Sequence, residues 1–107
     1  MYSSPSRIPT PETEPAMPVS PYGIAKLAFE FYLRSTQMTH GIPYVALRYA
    51  NVYGPRQDLK GEAGIVGIFT RALIDGRTPV IFGDGKQTRD FVFVDDVVEA
   101  NIRAMKS

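Results

Sequence analysis

Prolines at positions 5, 9, 11, 15, 18 and 21 dominate the start of this chain. Each locks its own φ and lacks an N–H donor, so neither a helix nor a central strand can run through them. Residues 3–21 therefore read as an extended surface loop, and regular structure must be built from the residues after Ser20.

Those residues alternate in period. Ser20 is a good N-cap and Pro21 a good first helical residue. Ile24, Leu27, Ala28 and Phe31 then recur at helical spacing. Glu30 and Arg34 can pair one turn apart. His40, Gly41 and Pro43 mark the end of that helix. Tyr44 to Tyr49 is a short, mostly apolar run of the kind that suits a strand buried in a parallel sheet. Asn51 to Gly64 reads as a loop. Ile65, Ile68, Phe69, Ala72 and Leu73 make a second helical stripe, ended by Gly76. Val80 to Phe82 is expected to be a short strand, Asp84-Gly85 a turn, and Phe91 to Val94 another extended run. Asp95 or Asp96 is expected to cap a last helix through Val98, Ile102 and Met105. Helix alternating with strand implies an α/β architecture.

Composition excludes several classes of function. With 107 residues the chain is one domain or part of one, and an apolar fraction of 44% is enough to build a core. The formal net charge is +1 and the basic residues are scattered, so no nucleic-acid partner and no anionic membrane surface is expected. There is no cysteine, which removes disulfides, thiolate metal sites and cysteine nucleophiles. No segment is long and apolar enough to span a bilayer, and the polar N-terminus is not a signal peptide. A cytoplasmic location is the expectation, and no metal site is expected.

Tyr22-Gly23-Ile24-Ala25-Lys26 puts a phenol and an ammonium four residues apart at a helix start. At that spacing both side chains stand on one face. The ammonium and the positive end of the helix both favour a phenolate, which can exchange a proton with a hydroxyl. The spacing alone also describes an ordinary amphipathic helix with a snorkelling lysine.

Four stretches, in order, carry a more specific signal. Ser20 to Lys26 resembles the active-site helix of the extended short-chain dehydrogenase/reductase family, which includes the NAD-dependent epimerases and dehydratases. Leu47-Arg48-Tyr49-Ala50-Asn51-Val52-Tyr53-Gly54-Pro55-Arg56 is similar to the strand and loop that come after that helix. Gly83 to Asp90 resembles the loop that meets the nucleotide, and Phe91 to Val97 the segment after it. The likeness covers essentially the whole chain and is greatest to UDP-glucose 4-epimerases and related sugar-nucleotide enzymes.

The resemblance implies a partial Rossmann-like, doubly wound fold over residues 1–107: a proline-rich loop at 1–21, the active-site helix, strand and loop at 22–60, and a nucleotide-sugar-binding region at 61–107. It implies Tyr22 as catalytic acid/base, with Lys26 on the nicotinamide ribose of NAD. Tyr49 and Ala50 would lie near the nicotinamide. Asn51 would contact the sugar diphosphate and Arg89 would pair with a diphosphate oxygen. Val80 and Phe82 would flank the nucleotide base, and Gly64 and Ile65 would help close its pocket. A UDP- or dTDP-sugar is the implied substrate, and a homodimer the implied assembly.

The bland alternatives are a core aromatic at Tyr49, turn residues at Asn51 and Gly54, an Arg89–Asp90 ion pair, a helix-end residue at His40 and helix caps at Asp95 and Asp96. The family's glycine-rich dinucleotide fingerprint does not occur in the chain. Its catalytic Ser or Thr would precede the segment matching Met1-Tyr2, so Ser3 and Ser4 are not assigned that role. The expectation is a C-terminal piece that is inactive alone. Epimerase, 4,6-dehydratase, related decarboxylase or synthase, and non-catalytic nucleotide-sugar-binding module all remain open at this point.

Overall fold

The computed structural model describes residues 7–58 and 64–107. Its architecture is α/β, in the order α1 (Pro21–His40), β1 (Asn51–Tyr53), α2 (Ile65–Ile74), β2 (Phe91–Phe93) and α3 (Val94–Ala104). The chain divides into two compact units, Met1–Ala46 and Leu47–Ser107.

In the first unit α1 starts and stops where local chemistry directs. The Ser20 hydroxyl accepts from the Gly23 N–H at 3.1 Å, and the Ser20 carbonyl accepts the first helical bond from Ile24 at 2.9 Å. That is N-capping, with Pro21 at the first helical position, where its missing N–H costs nothing. Gly23 is the one buried residue of α1. A Cβ there would lie 2.9 Å from Pro18 Cβ, so the proline-rich segment folds back onto the helix start and only glycine fits beneath it. Gly41 ends the helix in the left-handed region, at φ 68°, donating to the Gln37 carbonyl at 2.8 Å.

In the second unit β1 and β2 pair in parallel, with Asn51 opposite Phe91, Val52 opposite Val92 and Tyr53 opposite Phe93. Parallel neighbours need a crossover connection, and α2 lies in it. Tyr53 packs on Phe91 and Phe93 with ring centroids 6.3 and 5.5 Å away. α3 packs against both strands. Gly54, just past β1, lies so close to the Val94 side chain at the start of α3 that a Cβ would collide with it.

Three expectations are corrected. Tyr44 to Tyr49 belongs to no sheet, and the strand lies further on, at Asn51–Tyr53. A strand exists where a neighbour supplies ladder bonds, and β2 supplies them only opposite residues 51–53. Val80 to Phe82 also carries no ladder. The Phe82 carbonyl is satisfied instead by the Gln87 side-chain amide, at 2.8 Å, across the glycine turn. Finally, neither Asp95 nor Asp96 caps α3. The N-cap is Phe93, because β2 runs straight into the helix, and both carboxylates fall in the first turn, where the helix dipole favours them.

Little of the molecule is enclosed. Among the described residues Ala72, at 7% exposure, is the only buried hydrophobic side chain. The apolar stripes fall on helices, as their spacing predicts, but Ile24, Phe31, Ile65, Ile68 and Leu73 all stand exposed.

Candidate functional site

Tyr22 and Lys26 occupy the first two turns of α1, in the first unit. One helical turn of separation brings the Lys26 ammonium to 5.3 Å from the centroid of the Tyr22 ring. Both side chains are exposed, Tyr22 at 67%. Among the described residues no hydrogen bond or ion pair engages the Tyr22 hydroxyl or the Lys26 ammonium. A phenol hydroxyl and a three-donor cation on one helix face, neither hydrogen-bonded among the described residues, are available to a ligand with hydroxyl groups.

The other expected site residues lie in the second unit. Asn51 opens β1 and donates twice to the Asp90 carbonyl, from its backbone N–H and from Nδ2, each at 2.9 Å. This ties the start of β1 to the residue beside Arg89. Arg89 donates to its neighbour, the Thr88 carbonyl, at 2.8 Å and makes no ion pair among the described residues, so the Arg89–Asp90 ion pair does not form. Gly64 is the N-cap of α2, and Ile65 its first residue. Val80 and Phe82 are exposed, Phe82 at 84%, ahead of the turn at Gly83 to Gly85. Tyr49 is half exposed, and its hydroxyl meets the side chain of Asn101 on α3. Ala50 is half-buried next to it.

Sequence reasoning missed Asn101 and the use of the Asp90 carbonyl as an acceptor. Asn101 is 52 positions from Tyr49 and Asp90 is 39 from Asn51, and no local pattern announces such pairings. A cavity of about 370 Å³ lies between residues 53–57 and α2, lined by Tyr53, Arg56, Gln57, Thr70 and Arg71 among others, and none of the expected site residues lines it. At the end of α2, Arg71 and Arg77 both reach the Asp75 carboxylate, at 3.0 and 2.9 Å. The Arg77 bond, aided by Arg71, holds that carboxyl below its usual 3.8 against a smaller opposing effect of burial. Among the described residues no cluster of metal-ligating side chains occurs, and no helix is long and apolar enough to cross a membrane.

The comparisons with known proteins cover the chain almost end to end. Residues 1–107 match the NAD dependent epimerase/dehydratase family. UDP-glucose 4-epimerase of Mycolicibacterium smegmatis is 52% identical over 104 residues, which are 97% of this chain and 33% of that protein. The solved structure of UDP-N-acetylglucosamine 4-epimerase from Methanobrevibacter ruminantium M1, in complex with UDP-N-acetylmuramic acid, matches with a TM-score of 0.90 at 44% identity, covering 95% of this chain and 33% of that one. UDP-glucose 4-epimerase of Thermotoga maritima, solved with UDP-glucose, matches with a TM-score of 0.89 at 59% identity, covering 91% and 31%. The chain thus spans about a third of the length of the curated relatives it matches. On the strength of the family match and of identities near one half over nearly every residue, the chain belongs to the NAD dependent epimerase/dehydratase family.

Proposed function

We propose that this chain is part of an NAD-dependent nucleotide-sugar 4-epimerase of the UDP-glucose 4-epimerase kind, in which Tyr22 is the acid/base. The observation that carries the reading is the Lys26 ammonium 5.3 Å from the Tyr22 ring centroid at the start of α1, with no hydrogen bond or ion pair to the Tyr22 hydroxyl or to that ammonium among the described residues. On this reading residues 1–107 form part of one Rossmann-like, doubly wound domain. The two solved structures named above hold UDP-sugars, which supports UDP as the nucleotide.

The residues suit NAD. Lys26 offers N–H donors to the ribose hydroxyls of the nicotinamide nucleoside, and Tyr49 and Ala50 would lie beside the nicotinamide. NAD, when bound, supplies hydride acceptance and return. Tyr22 takes the proton from a sugar hydroxyl as the sugar is oxidised, and returns it when the sugar is reduced on its other face. Lys26 stabilises the oxyanion that Tyr22 bears before it takes that proton and again after it has returned it. Asn51 and Arg89 hold the diphosphate of the substrate, Arg89 through a planar fork matched to phosphate oxygens. Val80, Phe82, Gly64 and Ile65 surround the base. The chain holds none of the glycine-rich turn that binds the dinucleotide phosphates, so on this reading it does not turn over alone.

The test is Tyr22→Phe in the full-length protein. Turnover falls by about 10²- to 10⁴-fold, the usual worth of a positioned acid/base, while NAD stays bound. Turnover within a factor of a few of wild type would remove Tyr22 from the chemistry.

A further inference from the structure

An asparagine in the interior of α3 is a poor choice for helix formation, since its amide competes for backbone groups. Asn101 sits at such a position, exposed, and both ends of its amide are engaged. Nδ2 donates to the Val97 carbonyl one turn back, at 2.7 Å, which fixes the orientation of the amide. The Tyr49 hydroxyl then donates to Oδ1 at 3.0 Å and lies 2.7 Å from Nδ2. The amide therefore wraps the hydroxyl and is itself braced against its own helix.

We propose that Asn101 is a positioning residue for the cofactor site, acting through Tyr49. The inference rests on the reading above, in which Tyr49 lies beside the nicotinamide. Tyr49 immediately precedes Ala50 and Asn51, so a tether at the far end of its ring also restrains the segment leading into β1. A tyrosine side chain has two torsions, and holding its hydroxyl restricts both before the ligand arrives. Binding then no longer has to order that ring, which is how preorganisation raises affinity. Tyr49 would be presented ready-made by a helix 52 positions away in sequence.

The experiment is a double-mutant cycle in the full-length protein, read by NAD affinity and by the thermal midpoint of the NAD-free form. Asn101→Leu keeps a helix-compatible side chain of similar size and removes both amide groups. Tyr49→Phe removes only the hydroxyl. Each single variant raises the NAD dissociation constant by about fivefold, the worth of one ordinary hydrogen bond. The double variant does no worse than either single one, since both break the same contact. Two results overturn the inference: losses that multiply in the double variant, or an Asn101→Leu protein with a lowered thermal midpoint and wild-type NAD affinity. Tyr49→Ala separates this inference from the reading beneath it. If Tyr49→Ala leaves NAD affinity unchanged, the cofactor-site reading falls as well. If Tyr49→Ala weakens NAD and Asn101→Leu does not, only the role of Asn101 falls.

Discussion

Asn51 holds the carbonyl of Asp90 with two hydrogen bonds of 2.9 Å, one from its main chain and one from its side chain. The main-chain bond belongs to the strand pairing, and the side-chain bond doubles it. Together they set the position of the residue next to Arg89. Asn51→Ala removes the side-chain bond and leaves the other. The expected loss is about 1 kcal/mol of stability or less, because the contact is exposed. UDP-sugar affinity should fall several-fold as Arg89 loses its neighbour's anchor. Asp90→Ala keeps the acceptor, which is backbone, and serves as the control. Urea unfolding and ligand titration of the two variants check this, and equal behaviour in both assays would detach Asn51 from the site.

Arg89 has donors to spare, since the bond it makes among the described residues goes only to the adjacent Thr88 carbonyl. Arg89→Ala should weaken UDP-sugar binding by about 10- to 100-fold, the worth of a charge-assisted hydrogen bond to a phosphate. NAD affinity should change far less. Calorimetric titration with each ligand separates the cases, and equal loss of both would make Arg89 a structural residue.

Gly23 is required by contact rather than by backbone freedom. A methyl group there must displace the Pro18 ring, 2.9 Å away, and a proline ring has no flexible end to swing aside. Gly23→Ala gains roughly 1 kcal/mol of helix propensity and loses about 1–3 kcal/mol to overpacking. The net expectation is a protein less stable by about 1 kcal/mol, with the proline-rich segment detached from α1. Denaturant unfolding gives the first quantity, and protease sensitivity of residues 7–18 gives the second. A more stable variant would show that Pro18 yields freely.

Asp75 predicts a dependence on pH. Its folded carboxyl titrates below the ordinary 3.8, because Arg77 and Arg71 favour the charged form. The folded state thus binds that proton less readily than the unfolded state. The stabilisation is complete above the unfolded value and is lost as pH falls through the folded one. Wild type should exceed Asp75→Asn in unfolding midpoint at about pH 5, and the gap should close on acidification below 3.8. Added salt should narrow it as well, because the arginines are exposed. A gap that widens toward acid would reverse the sign.

Sequence alone settles those features that near neighbours decide. Ser20, Pro21 and Gly41 set the bounds of α1 because caps act within a turn, through the hydroxyl, the fixed φ and the left-handed backbone of single residues. The Tyr22–Lys26 juxtaposition comes from helical spacing, and the turn at Asp84-Gly85 from its own two residues. Four ordered motifs identified the family without any contact being known. The three-dimensional closure of the chain settled the rest. A strand is a property of a pair, so the apolar runs at 44–49 and 80–82 could not reveal that the ladder forms at 51–53, where Phe91 to Phe93 meet it. The bonds of Asn51 to Asp90 and of Tyr49 to Asn101 span 39 and 52 positions. Such pairings arise only when the parallel crossover through α2 brings β2 and α3 against β1, and that closure leaves no periodic mark in the residues it joins.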